Sequence, residues 1–123
     1  MKNCLKVFTL LALVALLFTA CGESKTTVYT AQTGVDGTTV QFIFNGDGTF
    51  VERCVISISG TTSIFEWYKG TYTGNPKIDG PLTLTFTHHY EDSTHTYALI
   101  DSYERTFTVS GGQFTYTWTF SRN

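Results

Sequence analysis

Close to its end the chain reads Phe114-Thr-Tyr116-Thr-Trp118-Thr-Phe120, aromatic rings separated by single threonines. A period of two puts every ring on one face of an extended strand, whereas a helix would scatter them around its circumference. The same alternation starts at Thr26. It recurs in Val40, Phe42 and Phe44, in Phe50, Cys54, Ile56 and Ile58, and in Leu82, Leu84 and Phe86. No run beyond residue 26 has the spacing of an amphipathic helix. Turn formers punctuate the runs: Val35-Asp36-Gly37, Asn45-Gly46-Asp47-Gly48, Gly60-Thr61, the loop from Gly74 to Pro81, Asp92-Ser93 and Gly111-Gly112. The second of these is the strongest, because Asn and Gly tolerate positive φ. The pattern predicts strands over residues 26–33, 38–44, 49–59, 62–73, 82–90, 95–100, 104–110 and 113–121. The expected fold class is therefore all-β: an eight-stranded antiparallel up-and-down barrel, whose closure hides both sheet edges. A β-sandwich is the alternative, but it would need Greek-key crossovers that successive short turns do not supply.

The first 21 residues read differently. Lys2 and Lys6 form a basic head, and residues 7–18 are an apolar run too short to span a bilayer comfortably. Thr19-Ala20 then places small residues directly before Cys21. This has the form of a secretory signal, and the stretch Leu17-Phe18-Thr19-Ala20-Cys21 resembles the bacterial lipobox, with Phe18 where leucine is usual. The resemblance implies a lipoprotein signal peptide over residues 1–20, acylation (palmitate or similar) on the sulfur of Cys21, and cleavage that makes Cys21 the amino terminus. An ordinary secretory signal with a chance cysteine is the other reading. Residues 21–25 form a small polar tether, leaving residues 26–123 as one domain. Because Gly22 is not acidic, the resemblance implies the bacterial cell envelope and, within it, the outer membrane.

Beyond Cys21, six Lys and Arg face ten Asp and Glu, a net charge of −4. A mildly acidic domain without a basic stripe predicts no nucleic-acid partner and no electrostatic hold on anionic lipid, so the expected membrane contact is the N-terminal lipid anchor. With Cys4 in the leader and Cys21 acylated, only Cys54 would remain. No intramolecular disulfide is then available, and Cys54 in its apolar strand reads as a buried, unreactive thiol.

From residue 26 to 122 the domain resembles the small bacterial lipocalin-like proteins of the calycin group. The resemblance rests on strand number, on the hairpin from Phe44 to Phe50, on Gly70-Thr71-Tyr72, and on Trp118 with Arg122 near the end; Tyr29 stands where that group has Gly-x-Trp. It implies a cup for a small apolar or amphiphilic ligand. Strand parity lines the expected cup with Phe42, Phe44, Ile56, Phe65, Trp67, Leu84, Phe86, Tyr97, Phe107, Tyr116 and Trp118. An eight-stranded interior either holds one small ligand or is filled by its own side chains. In the second case the protein would be a solid barrel acting through its surface as an interaction, inhibitor or adhesion module.

Polar residues on the inward face are the candidates for chemistry. With Gly111-Gly112 as a two-residue turn, Arg105 faces Trp118, either to orient a ligand carboxylate or to stack structurally on the indole. With Gly60-Thr61 as the turn, Glu52 faces Lys69, as a rim ion pair or a ligand contact. His88 would share a face with His95 only diagonally, roughly 7–8 Å apart at Cα, with His89 pointing away. That spacing predicts no metal site; it places His88 with Tyr97 at a barrel mouth. The threonine rows read as a solvated outer face. No nucleophile elbow, phosphate loop or cysteine–histidine arrangement is present in the sequence, so the expectation is a non-enzymatic protein without a cofactor.

Overall fold

The computed structural model describes residues 26–91 and 94–123. Among these there is no helix, and eight strands follow one another: β1 (Thr27–Gln32), β2 (Thr38–Phe44), β3 (Thr49–Ile58), β4 (Thr61–Thr73), β5 (Gly80–Glu91), β6 (Thr96–Val109), β7 (Gln113–Tyr116) and β8 (Trp118–Arg122). All pair antiparallel in one sheet of order β6-β5-β4-β3-β2-β1-β8-β7. This is the expected up-and-down path, curled into a half-barrel. Its two edges, β6 and β7, meet at the Gly111-Gly112 turn. There Ser110 and Gln113 exchange backbone hydrogen bonds at 2.8 and 3.1 Å, and no ladder continues beyond that bridge.

The strand number agrees with the alternation, but the individual strands differ in two places. Residues 95–100 and 104–110, read as separate, form one continuous β6. The final run, read as one strand, is a tight hairpin: Thr117 takes a φ of 61°, and Tyr116 pairs with Trp118. Alternation cannot distinguish these cases, because cross-strand partners share a face and both hairpin arms keep their rings on the concave side.

The core lies at the end of the half-barrel that carries the β2–β3, β4–β5 and β6–β7 connections. Tyr29, Val40, Phe42, Phe44, Phe50, Leu82, Leu84, Phe86 and Phe120 are completely buried there. Phe42 alone meets five rings, from Phe120 at 5.0 Å to Tyr116 at 6.2 Å between centroids. Gly70 makes this packing possible: a Cβ at that position would meet the Thr85 carbonyl oxygen and the Phe50 ring. The close passage lets the Phe50 and Phe86 rings meet edge to face at 5.0 Å.

The loop between β4 and β5 plugs this closed end. The Tyr29 hydroxyl donates to the Pro76 carbonyl at 2.6 Å, and Arg122 Nε donates to that hydroxyl at 3.0 Å. Asp79 accepts the Gly111 and Gly112 amides at 2.7 and 3.0 Å, and these bonds hold its carboxyl below the usual carboxylate range. The Asn45–Gly48 turn is built as its residues demand. Asp47 accepts from the Thr49 amide and hydroxyl at 3.0 and 2.6 Å, and Gly48 supplies a φ of 90°.

At the opposite end the sheet splits. Pairing between β4 and β5 begins only at Tyr68↔His89, so the first six residues of β4 pair with β3 alone. Ile58, Ile64, Phe65 and Leu99 are exposed at this end.

Candidate functional site

Two irregularities decide which side chains reach the concave face. The β3–β4 turn is Ser59-Gly60, both at positive φ, and Trp67 is an extra residue in β4: Glu52 pairs with Tyr68, whereas Arg53 pairs with Glu66. The expected Glu52–Lys69 pair is therefore not formed. Lys69 stands opposite Val51 on the convex side, with Nζ 4.3 Å above the Tyr97 ring. In β5 the register slips at Thr87: Gly70 pairs with Phe86 and Lys69 with His88. A bulge reverses the faces beyond it. His88 consequently leaves the cup for the convex face, where its ring is 6.5 Å from Tyr97. His89 turns inward, 5.0 Å from Tyr68. Tyr97 follows His88 outward and donates to Glu66 Oε1 at 2.8 Å. Burial, and then that bond, push the Tyr97 phenol well above its usual range. Tyr97 pairs with Tyr90, not with His88, because the β5–β6 connection is longer than an Asp92-Ser93 turn.

The other expected cup residues separate into three groups. Phe42, Phe44 and Phe86 form the floor and are completely buried. Trp67, Tyr116 and Trp118 are partly buried against that floor. Phe65 is 48% exposed, and Arg105 is exposed at the rim. Arg105 stacks over Tyr103 at 4.9 Å and donates to the Glu104 carbonyl at 3.0 Å. It does not face Trp118, because the reversal at Thr117 carries that indole into β8 beside β7. Cys21 lies outside the described residues.

Above the floor, one carboxyl and three phenols converge. Glu52 on β3 is only 5% exposed. Tyr68 on β4, Tyr103 on β6 and Tyr116 on β7 surround Phe86, at centroid distances of 5.8, 4.9 and 6.4 Å. Burial, followed by the neighbouring phenols and Glu52, raises the Tyr103 phenol; burial, followed by Glu52, raises that of Tyr116. Glu52 itself is pushed from 4.5 to about 7 by desolvation, with no compensating bond. The only fully buried side-chain atom without a hydrogen bond among the described residues is Arg122 Nη2, at the closed end, 3.6 Å from Asp79 Oδ1. The Glu52 oxygens make no hydrogen bond among those residues and are not fully buried.

Sequence parity places Glu52, Phe42, Phe86 and Tyr116 correctly but misses Tyr68 and Tyr103. Tyr68 is hidden by the Trp67 bulge, which leaves no mark in composition. Tyr103 was legible: Tyr103, Arg105, Phe107 and Val109 alternate, and the expected gap before residue 104 cut the run short.

Elsewhere the chemistry is structural. Cys54 is buried and burial raises its thiol, the setting of an unreactive side chain. Among the described residues no three His, Cys, Asp or Glu side chains gather as metal ligands. On the convex face Arg53 donates to Gln41 at 3.0 Å, Gln41 to Thr30 at 3.4 Å and Thr30 to Asn123 at 2.9 Å, a polar relay across three strands. No protein-family model, curated protein or solved structure matches this chain, so the mouth around Glu52 is defined by its own geometry.

Proposed function

We propose that this protein is a lipid-anchored, lipocalin-like binding protein of the bacterial envelope, which takes a small apolar or amphiphilic ligand at the open mouth of its half-barrel. The observation that carries the reading is the unspent hydrogen-bonding capacity at the mouth. A carboxyl that is nearly buried, and three phenols without an internal partner among the described residues, converge over an aromatic floor. Burying a carboxyl without a bond costs about 1–3 kcal/mol, so a group that bonds or neutralises Glu52 would be favoured there. The packed floor limits the ligand to the mouth and excludes a deep cup. The chain enters the domain at the closed end, where Thr27 pairs with Phe44, so an anchor at Cys21 leaves the mouth facing away from its membrane.

Native mass spectrometry of the full-length protein drawn from membranes tests this reading. It should show a small-molecule adduct that Tyr103→Ala reduces. A bare mass would instead favour the surface-binding alternative. That alternative has its own observation: exposed Ile64 and Phe65, with Glu66, Tyr90 and His95, line a groove of about 500 Å³.

A further inference from the structure

We propose that the mouth selects an organic cation, an ammonium head on a short apolar body, with Glu52 as counter-ion and the tyrosine rings as its walls. This rests on the mouth being the ligand site and adds the chemical class of the ligand.

A carboxyl as buried as that of Glu52 is ordinarily paired with a cation. Every basic side chain near it is otherwise engaged. Arg53, the next residue, points to the convex face and bonds Gln41. Lys69 sits over Tyr97 on that same face. Arg105, the one guanidinium at the rim, lies over Tyr103 and bonds the Glu104 carbonyl. The groups that do face the carboxyl are Tyr68 from β4, with His89 of β5 packed against it, Tyr103 from β6 and Tyr116 from β7. The face of a phenol ring is electron-rich and attracts a cation held within about 6 Å, most strongly where water is excluded. Phe86 and Arg105 already cover the Tyr103 ring, so the faces left to act with the Glu52 carboxylate on an ammonium are those of Tyr68 and Tyr116. An anionic head would meet Glu52 as a like charge, and a neutral head would leave the carboxylate uncompensated.

Protonation is the other way to relieve an unpaired buried carboxylate. Desolvation pushes Glu52 up to about 7, so near neutral pH its carboxyl is about half protonated. A cation that binds only the ionised form competes with that proton, so its affinity should rise with pH. Burial holds the Tyr103 and Tyr116 phenols above their usual range, so neither competes with Glu52 for this proton, and His89, packed on Tyr68, lies 3.4 Å from Glu91 Oε2.

The test uses full-length protein in non-ionic detergent and three probes of equal chain length: hexyltrimethylammonium, 1-hexanol and hexanoate. Calorimetric titration near pH 8 should show hexyltrimethylammonium binding at least about tenfold tighter than either other probe, and Glu52→Gln should abolish that preference. The unsubstituted protein should bind the cation about tenfold more weakly near pH 6 than near pH 8, a result that does not depend on how the variant folds. Equal binding of all three probes would overturn the cation inference and leave the ligand site standing. Preference for hexanoate would overturn it in favour of Arg105. Binding of none would overturn the ligand site as well.

Discussion

Burial without a partner raises the Glu52 carboxyl to about 7 from an ordinary 4.5. The folded state therefore holds this proton more tightly than the unfolded chain does. The stability linked to it is fully present below about 4.5 and is lost as pH rises through about 7. The shift corresponds to at most about 3 kcal/mol, since one pKa unit is about 1.4 kcal/mol. Asp47 and Asp79, both held below the usual carboxylate range by hydrogen bonds, act in the opposite sense, but their contribution is lost only as pH falls into acid. Between about pH 5 and pH 8 the Glu52 slope should dominate. Urea unfolding should show stability declining across that window. Glu52→Gln should flatten the decline and gain about 1–3 kcal/mol at the alkaline end. An unchanged slope in the variant would assign the dependence to other groups. The alternation alone showed that Glu52 faces inward. It could not show that Lys69 faces outward, and without that fact Glu52 reads as one half of a rim ion pair.

Strands β4 and β5 carry the features that shape the site, and all of them are departures from regular pairing. The extra residue at Trp67 brings Tyr68 opposite Glu52, and the slip at Thr87 exchanges His88 for His89 on the concave face. Gly70 lies between them, where the backbone passes so close to Thr85 that no side chain fits. Gly70→Ala would force a Cβ against a backbone carbonyl and the Phe50 ring, neither of which can move without disturbing the Phe50–Phe86 contact. We expect a cost of about 1–3 kcal/mol, read as a lower urea midpoint at unchanged slope. A midpoint equal to that of the unsubstituted protein would mean that β5 yields freely there. Gly70 was recognisable in the sequence as a glycine inside a strand, the usual sign of a bulge or close approach. The bulges at Trp67 and Thr87 had no comparable marker, because a bulge depends on what the neighbouring strand can pair with.

At the scale of the whole molecule, the sheet curls until β6 and β7 meet at one turn and then stops pairing. Aromatic contact takes over where the ladder ends: Phe107 on β6 stacks on Phe114 of β7 at 5.0 Å and lies 5.2 Å from Tyr116. Threonines 106, 108, 115 and 119 line a shallow groove outside this seam, so the rows keep their solvated face. With the chain entering at the closed end, acylation of Cys21 would hold the domain by the end remote from the mouth. Cys21→Ser should move the protein from the membrane to the soluble fraction, and retention of the variant in membranes would refute the anchor.

What the sequence by itself determined is what depends on local periodicity and turn chemistry. The all-β class, the up-and-down path, the inward aromatic rows and the Asn45–Gly48 and Gly111-Gly112 turns all follow from residues within a few positions of one another. Only the tertiary structure decided the register of β4 against its neighbours, the hairpin hidden at Thr117 and the joining of β6 into one strand. It also decided that the barrel remains open at β6 and β7. Each of these depends on which strand lies alongside, and a one-residue slip turns every later side chain to the other face at no cost to the alternation. The mouth around Glu52 is built from such slips: its four polar side chains come from four strands, and their convergence exists only once the sheet has curled.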